Sequence, residues 1–285
     1  MKSPERIEAI PRLAPRPAHA HKGLYGHALL VGGSLGMTGA IILAGRGALR
    51  SGAGLVTLAV PAACQGIAAS ALPSAMTLGL DDELSGLKDP RFENCTLAIG
   101  PGLGRNPNSD HQVAKLFVEW RNTAILDADA LNALASTAWQ DLKPQGARIL
   151  TPHPGEWSRF CGIAAADRAA QQQRAIEIAH NLGLIIVLKG HRTIVTDGNR
   201  VYENSTGNPS MAVGGNGDVL TGILAALVCQ RLAPFEAAQL AVYLHGLSGD
   251  IAHQRLGTPS TLPEDLLEHL PAAFQSVLGI SQPDA

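Results

Sequence analysis

Short apolar runs recur along the chain at Ala28–Val31, Leu55–Val60, Thr96–Ile99, Ala124–Leu126, Arg148–Leu150 and Leu184–Leu188. Each closes on Gly, Pro, Asp or a polar turn, which is how strands buried on both faces read. Between them lie stretches with room for crossover helices, at 38–51, 61–70, 109–120, 129–136 and 165–182. This alternation predicts an α/β fold with a mostly parallel central sheet covered by helices. Thr193–Thr196 and Arg200–Glu203 flank Asp197-Gly198-Asn199, a hairpin signal. After residue 215 the pattern turns helical. Val219, Leu220, Ile223, Leu224, Leu227 and Val228 share one face, opposite Thr221, Gly222, Ala225, Ala226 and Cys229. Such a helix is predicted to be buried, with a neighbour close against its small face. Two more helices follow at 235–256 and 263–278. Residues 1–26, rich in Pro and His, read as an irregular lead-in. No linker or repeat divides the remainder, so 27–280 is expected to be one three-layer α/β/α domain.

Composition narrows the classes. The chain has 285 residues, 46% of them apolar and 16% charged, against roughly 25% charged in an average soluble domain. That apolar content is enough to offset chain entropy, which excludes a disordered polar segment. Lys and Arg number 22 against 24 Asp and Glu, for a net charge of −2. A basic footprint for nucleic acid is absent. The apolar stretch Val219–Cys229 is too short to span a bilayer, and the first residues lack the apolar core of a signal peptide. Neither a nucleic-acid nor a membrane partner is expected, and the location is read as cytoplasmic. Cys64, Cys95, Cys161 and Cys229 have no metal-binding spacing and read as reduced, buried thiols.

In open parallel sheets ligands bind beyond the carboxyl ends of the strands. The first strand runs into Gly32-Gly33-Ser34-Leu35-Gly36-Met37-Thr38-Gly39-Ala40, where glycines let backbone approach a ligand. No Lys-Ser/Thr follows, so it is not a Walker A loop. Ala59-Val60-Pro61 stands where a dinucleotide fold would place an acid, which disfavours an NAD-dependent dehydrogenase. Gly100-Pro101-Gly102-Leu103-Gly104-Arg105 repeats the pattern and suggests a shared, backbone-lined cleft. Plain turns are the alternative for both loops.

Asp127 and Asp129 mark the next strand-to-helix junction. Asp129 reads as a helix cap. Asp127, on the end of a buried strand, needs a partner; a substrate hydroxyl, or Mg²⁺ through water, would serve. His153 is held between Pro152 and Pro154, which restrict the backbone on both sides and suit it to touch a ligand. It could equally be satisfied by nearby backbone. Glu156 reads as a first-turn acid. Lys189-Gly190-His191-Arg192-Thr193 combines a cation, a flexible turn and a hydroxyl that could grip a nucleotide, or form an exposed turn.

The most informative segment is Thr206-Gly207-Asn208-Pro209-Ser210-Met211-Ala212-Val213-Gly214-Gly215-Asn216-Gly217-Asp218. Gly214, Gly215 and Gly217, with Asn216, would leave the amides of a helix N-terminus open as an anion hole. Asp218 stands at its mouth, placed to take a proton from an attacking hydroxyl. Phosphoryl transfer needs that pairing. The bland alternative is a Gly-rich turn with Asp218 as N-cap.

This string, together with the Gly32–Ala40, Gly100–Gly104, Leu126–Asn132, Thr151–Glu156 and Lys189–Thr193 segments in the same order, resembles the ADP/ATP-dependent NAD(P)H-hydrate dehydratases. The resemblance covers roughly residues 23–275 and implies a ribokinase-like fold. It implies a lyase that repairs hydrated NADH and NADPH (NADHX and NADPHX). The ring hydroxyl is phosphorylated from ADP, or from ATP in eukaryotic members. Phosphate then leaves by elimination, giving AMP and phosphate. On that resemblance Asp218 is the catalytic base. Ala40, Gly102, Gly104, His153 and Asp218 contact the hydrated cofactor. Lys189, Gly190, His191, Arg192, Thr193 and Gly217 hold the nucleotide, and Mg²⁺ is bound through its phosphates with no direct protein ligand. The family also implies a homotetramer. Members often carry an N-terminal epimerase domain, for which 26 residues leave no room, so a separate NAD(P)HX epimerase is expected. A kinase of the same superfamily, acting on a thiazole or pyrimidine alcohol, and a nucleotide-binding module without turnover are the competing readings.

Overall fold

A computed structural model describes residues 3–278, so positions 279 and 280 of the expected domain lie outside the described residues. In chain order the first half contains β1 (Glu5–Arg6), β2 (His27–Val31), α1 (Thr38–Arg50), β3 (Leu55–Pro61), α2 (Gln65–Ala71), β4 (Met76–Leu80), β5 (Thr96–Ile99), α3 (Pro107–Glu119), β6 (Ala124–Leu126) and α4 (Ala128–Ala135). There follow β7 (Arg148–Leu150), α5 (Pro154–Cys161), α6 (Arg168–Leu182), β8 (Ile185–Leu188), β9 (Ile194–Thr196), β10 (Arg200–Glu203), α7 (Asn216–Cys229), α8 (Pro234–Leu256) and α9 (Pro263–Leu278). The strands form one ten-stranded sheet in the order β1-β10-β9-β8-β7-β6-β5-β2-β3-β4. Among these strands only β9 runs antiparallel to its neighbours, and the predicted hairpin joins it to β10.

Alternation along each strand builds the layers. Leu30, Leu58, Ala98 and Ile125 face a core shared with α1, α2, α7, α8 and α9. Leu29, Val31, Leu97 and Leu126 face the opposite core, with α3, α4, α5 and α6. The neighbour expected against the small face of α7 is α1. A Cβ on Gly222 would lie 1.9 Å from Ala44 O, so only glycine lets these two backbones come this close.

Three elements differ from expectation. The lead-in is not wholly irregular, because β1 adds to the sheet edge in parallel with β10. β4 was hidden because it is an edge strand, half covered, with no continuous apolar run. α5 was signalled only by Glu156 as a first-turn acid, its extent unread; Pro154 sits at its first turn, where a missing N–H costs nothing. Among the described residues no helix is long and apolar enough to cross a membrane, and all four cysteines are free thiols.

Candidate active site

The carboxyl ends of β2, β5, β6, β7 and β8 open toward the N-terminus of α7. Two glycine loops form one wall. Gly33 N–H donates to Pro101 O (2.9 Å) and Ser34 N–H to Gly102 O (2.7 Å), so the loops are zipped together by backbone. A Cβ on Gly102, whose φ is +58°, would meet Met37 O at 2.5 Å and the Ala40 side chain at 3.2 Å. Ala40 and Gly102 are thus neighbours.

Asp127 occupies the centre, 1% exposed. Its Oδ1 accepts from Lys189 Nζ (2.7 Å) and from Thr151 Oγ1 (2.8 Å), and its Oδ2 from Thr221 Oγ1 (2.8 Å). The chain itself thus supplies the partners that this buried acid needs. Asp129 is not the N-cap of α4, since that position belongs to Asp127. Its carboxylate instead accepts from Gly104 N–H at 2.9 Å and ties down the second glycine loop.

α7 begins at Asn216, where the pattern turns helical, three residues before its first apolar position, Val219. Its N-cap is Gly215, with φ +99°, and no side chain caps it. This overturns the reading of Asp218 as a cap: Asp218 lies inside the first turn. The opening amides of α7 face the cleft. A Cβ built on Gly217 would sit 3.4 Å from Lys189 Nζ and 3.9 Å from Asp127 Oδ2, and one on Gly214 would meet nothing within 4 Å. Burial first, then repulsion from Asp127, Asp129 and Glu156, pushes the Asp218 carboxyl up to about 7, against the pull of Lys189. For Lys189 burial works the other way. The carboxylates of Asp127, Glu156 and Asp218 outweigh it and hold the ammonium above its ordinary value. An acid with a pKa raised toward neutrality, beside open helix amides and a fixed cation, suits a general base for an alcohol.

His153 caps α5. Its Nδ1 accepts from Gly155 and Glu156 N–H at 3.0 and 3.3 Å, while Glu156 Oε2 accepts from His153 N–H at 2.8 Å. Burial, then Lys189 and Arg159, lowers the His153 pKa, and burial raises that of Glu156. The His153 ring remains half exposed. The segment after β8 divides. Lys189 joins the cluster, and Gly190, with φ +136°, turns the chain outward. His191 and Arg192 are exposed, with Arg192 paired to Glu203. Thr193 Oγ1 donates to Gly190 O at 3.0 Å and closes the turn.

Several supporting residues were not singled out from sequence. Thr151 and Thr221 hold Asp127. His245 Nε2 donates to Asn216 O (2.9 Å), its pKa lowered to about 4 mainly by burial. Asp250 accepts from Gly207 N–H and Asn208 Nδ2 at 2.9 and 2.8 Å. Both lie on α8, where Gly246 and Gly249 let Thr206 and Met211 lie close. Glycines inside an otherwise apolar helix were the available signal. A separate cavity of about 560 Å³, lined by His27, Arg91, Arg121 and Arg231 among others, lies at the amino ends of the strands, away from this cluster.

A family model described as NAD(P)H-hydrate dehydratase matches residues 28–272. The chain belongs to the NAD(P)H-hydrate dehydratase family. It is 45% identical over 280 residues to the bifunctional NAD(P)H-hydrate repair enzyme Nnr of Moorella thermoacetica, covering 93% of this chain and 52% of that protein. The chain thus spans about half the length of the curated relatives it matches. The ADP/ATP-dependent NAD(P)H-hydrate dehydratase of Bacillus subtilis, co-crystallised with ATP/Mg²⁺, superposes with a TM-score of 0.83 at 34% identity, covering 93% of this chain and 95% of that one. A ribokinase-like superfamily protein of Enterococcus faecalis superposes with a TM-score of 0.81 at 30% identity, covering 93% and 92%. The three-layer architecture is thus the ribokinase-like fold.

Proposed function

We propose that this member of the family is an ADP-dependent NAD(P)H-hydrate dehydratase, a lyase acting on NADHX and NADPHX. One observation carries the reading: Asp218, with its pKa raised to about 7, stands in the first turn of an uncapped helix beside Lys189. Asp218 takes the proton from the ring hydroxyl as its oxygen attacks the terminal phosphorus of ADP, and AMP leaves. The amides of Gly215, Asn216 and Gly217 and the Lys189 ammonium stabilise the moving phosphoryl group. The C–O bond of the phosphorylated ring then breaks and phosphate departs, the neighbouring ring carbon gives up a proton to the leaving phosphate or to water, and the C–H electron pair restores the double bond of NADH or NADPH.

Gly214 and Gly217 leave a cradle that side chains would fill, which supports nucleotide phosphates there. The turn Gly190–Thr193 flanks it on the nucleotide side. Ala40, Gly102, Gly104 and His153 form the wall left for the hydrated cofactor. Mg²⁺ fits as a cation carried by the nucleotide. When bound, Mg²⁺ would neutralise charge on the phosphates.

The free cysteines support a reducing, cytoplasmic location. A homotetramer remains part of the proposal through the family resemblance, as does an NAD(P)HX epimerase activity on the same or another chain. The deciding experiment incubates the purified protein with hydrated NADH, Mg²⁺ and either ADP or ATP. Return of the NADH absorbance with free phosphate supports the dehydratase. Accumulation of a phosphorylated thiazole or pyrimidine alcohol when those are offered would replace it with a kinase, and nucleotide binding without turnover with a regulatory module.

A further inference from the structure

Asp127 lies outside every role assigned above, yet it gathers three elements at one carboxylate. Thr151 reaches it from the end of β7, Lys189 from the end of β8 and Thr221 from the second turn of α7. Gly100 is moulded to its backbone, because a Cβ there would lie 1.8 Å from Asp127 O. Lys189 keeps 18% of its side chain exposed, and its ammonium lies 3.4 Å from where a Cβ on Gly217 would stand. We propose that Asp127 is a positioning residue that locks the Lys189 ammonium against the opening turn of α7 and thereby fixes the charge surroundings in which Asp218 accepts a proton. This rests on the reading of Asp218 as the base.

The physical case is one of competing signs. Asp218 is faced by Asp127 from β6, Asp129 from α4, Glu156 from α5 and Lys189 from β8. Burial lowers the pKa of both His153 and His245 and so favours their neutral forms. The carboxylates make Asp218 a stronger base, and Lys189 makes it a weaker one. A free Lys189 would swing toward Asp218 and weaken it as a base. Held by Asp127, it is largely neutralised toward Asp218 while still presenting a cation to a phosphate. The two threonine hydroxyls fix the orientation of the Asp127 carboxylate, so that its Oδ1 is held against Lys189.

The test reads Asp218 directly and does not depend on turnover. Its ¹³C carboxyl resonance, assigned by its loss in Asp218→Asn, is titrated in the wild-type protein, in Asp127→Asn and in Lys189→Gln. In Asp127→Asn the amide keeps an acceptor for Lys189 and a donor for Thr221, so the site is held while the charge is removed. Opposite shifts are expected: Asp218 should titrate lower in Asp127→Asn and higher in Lys189→Gln, each by about 1 pH unit or more. The acid limb of kcat/KM should move with it. Shifts in the same direction, or none, overturn the proposal and leave Asp127 a structural residue. Should Asp127→Asn fail to fold, Lys189→Gln decides alone: a titration that does not rise rejects the coupling. Retained turnover in Asp218→Asn would instead remove the base assignment, a distinct failure visible only in the kinetics.

Discussion

Thr221 Oγ1 donates to Asp127 Oδ2 at 2.8 Å across 94 positions of sequence. That bond fastens the helix carrying Asp218 to the strand end carrying Asp127. Thr221→Val keeps the shape and deletes the donor. A hydrogen bond to a charged group contributes about 1.5–3 kcal/mol. The urea midpoint should fall accordingly, and Thr221→Ser should restore most of it. An unchanged midpoint would show that the bond contributes nothing.

Asp218 must be ionised to accept a proton. With its pKa raised to about 7 by burial and neighbouring carboxylates, kcat/KM should fall below neutral pH, about tenfold per pH unit. Asp218→Asn should lose about 10²–10⁴ in turnover and with it the acid limb. A flat pH profile in the wild-type enzyme would contradict the assignment.

The same residue makes a stability prediction with a definite sign. A carboxyl whose pKa is higher in the folded state favours folding while protonated and opposes it once ionised. Stability from this group is present at low pH and is lost as pH rises from its ordinary value of 3.8 to about 7. Asp218→Asn should therefore raise Tm above pH 7, with the gain shrinking as the pH falls toward 4. A gain of 1 kcal/mol corresponds to about 2–4 °C in a chain of this size. Calorimetry at the two pH extremes checks it.

Gly217 separates helix stability from ligand binding. An alanine there gains about 1 kcal/mol in helix propensity, and its Cβ meets Lys189 Nζ only at ordinary contact, 3.4 Å. It also projects into the space proposed for phosphate. Gly217→Ala should melt no lower than the wild type, while its KM for nucleotide rises about tenfold or more, the loss of roughly 1.4 kcal/mol of binding. An unchanged KM would place the phosphates elsewhere.

Arg148 is fully buried, its pKa lowered to about 10 by burial, and it donates to the carbonyls of Phe117, Trp120, Asn122 and Ala147. It closes the amino-terminal side of the sheet, opposite Asp218. Arg148→Met leaves those acceptors without their donor, at about 1–3 kcal/mol for each that water does not reach. Chemical denaturation should show a loss of at least about 3 kcal/mol, while kcat per folded molecule is unchanged. A parallel fall in kcat would mean that the two ends of the sheet are coupled.

Much of this architecture was legible along the chain. Thr96–Ile99, Ala124–Leu126, Arg148–Leu150 and Arg200–Glu203 lie where their apolar or hairpin patterns place them, because a strand covered on both faces carries an unbroken apolar run. Gly222 was marked as a close-approach point by its small neighbours. β4 was not legible, since an edge strand needs only half that pattern, and the apolar positions of α7 mark it only from Val219, because its first turn is polar and faces a cleft.

Local pattern alone settled which segments become strands and helices, and where glycines and acids collect at strand ends. Burial periodicity and turn chemistry act over a few residues. Only the tertiary structure decided what Asp127 holds, that Asp129 fastens Gly104, and that Asp218 sits inside a helix turn rather than capping it. Those facts depend on side chains from separate strands and helices meeting in a space shielded from water. There, charge and hydrogen-bond partners are set by distance through space, which residue order does not encode.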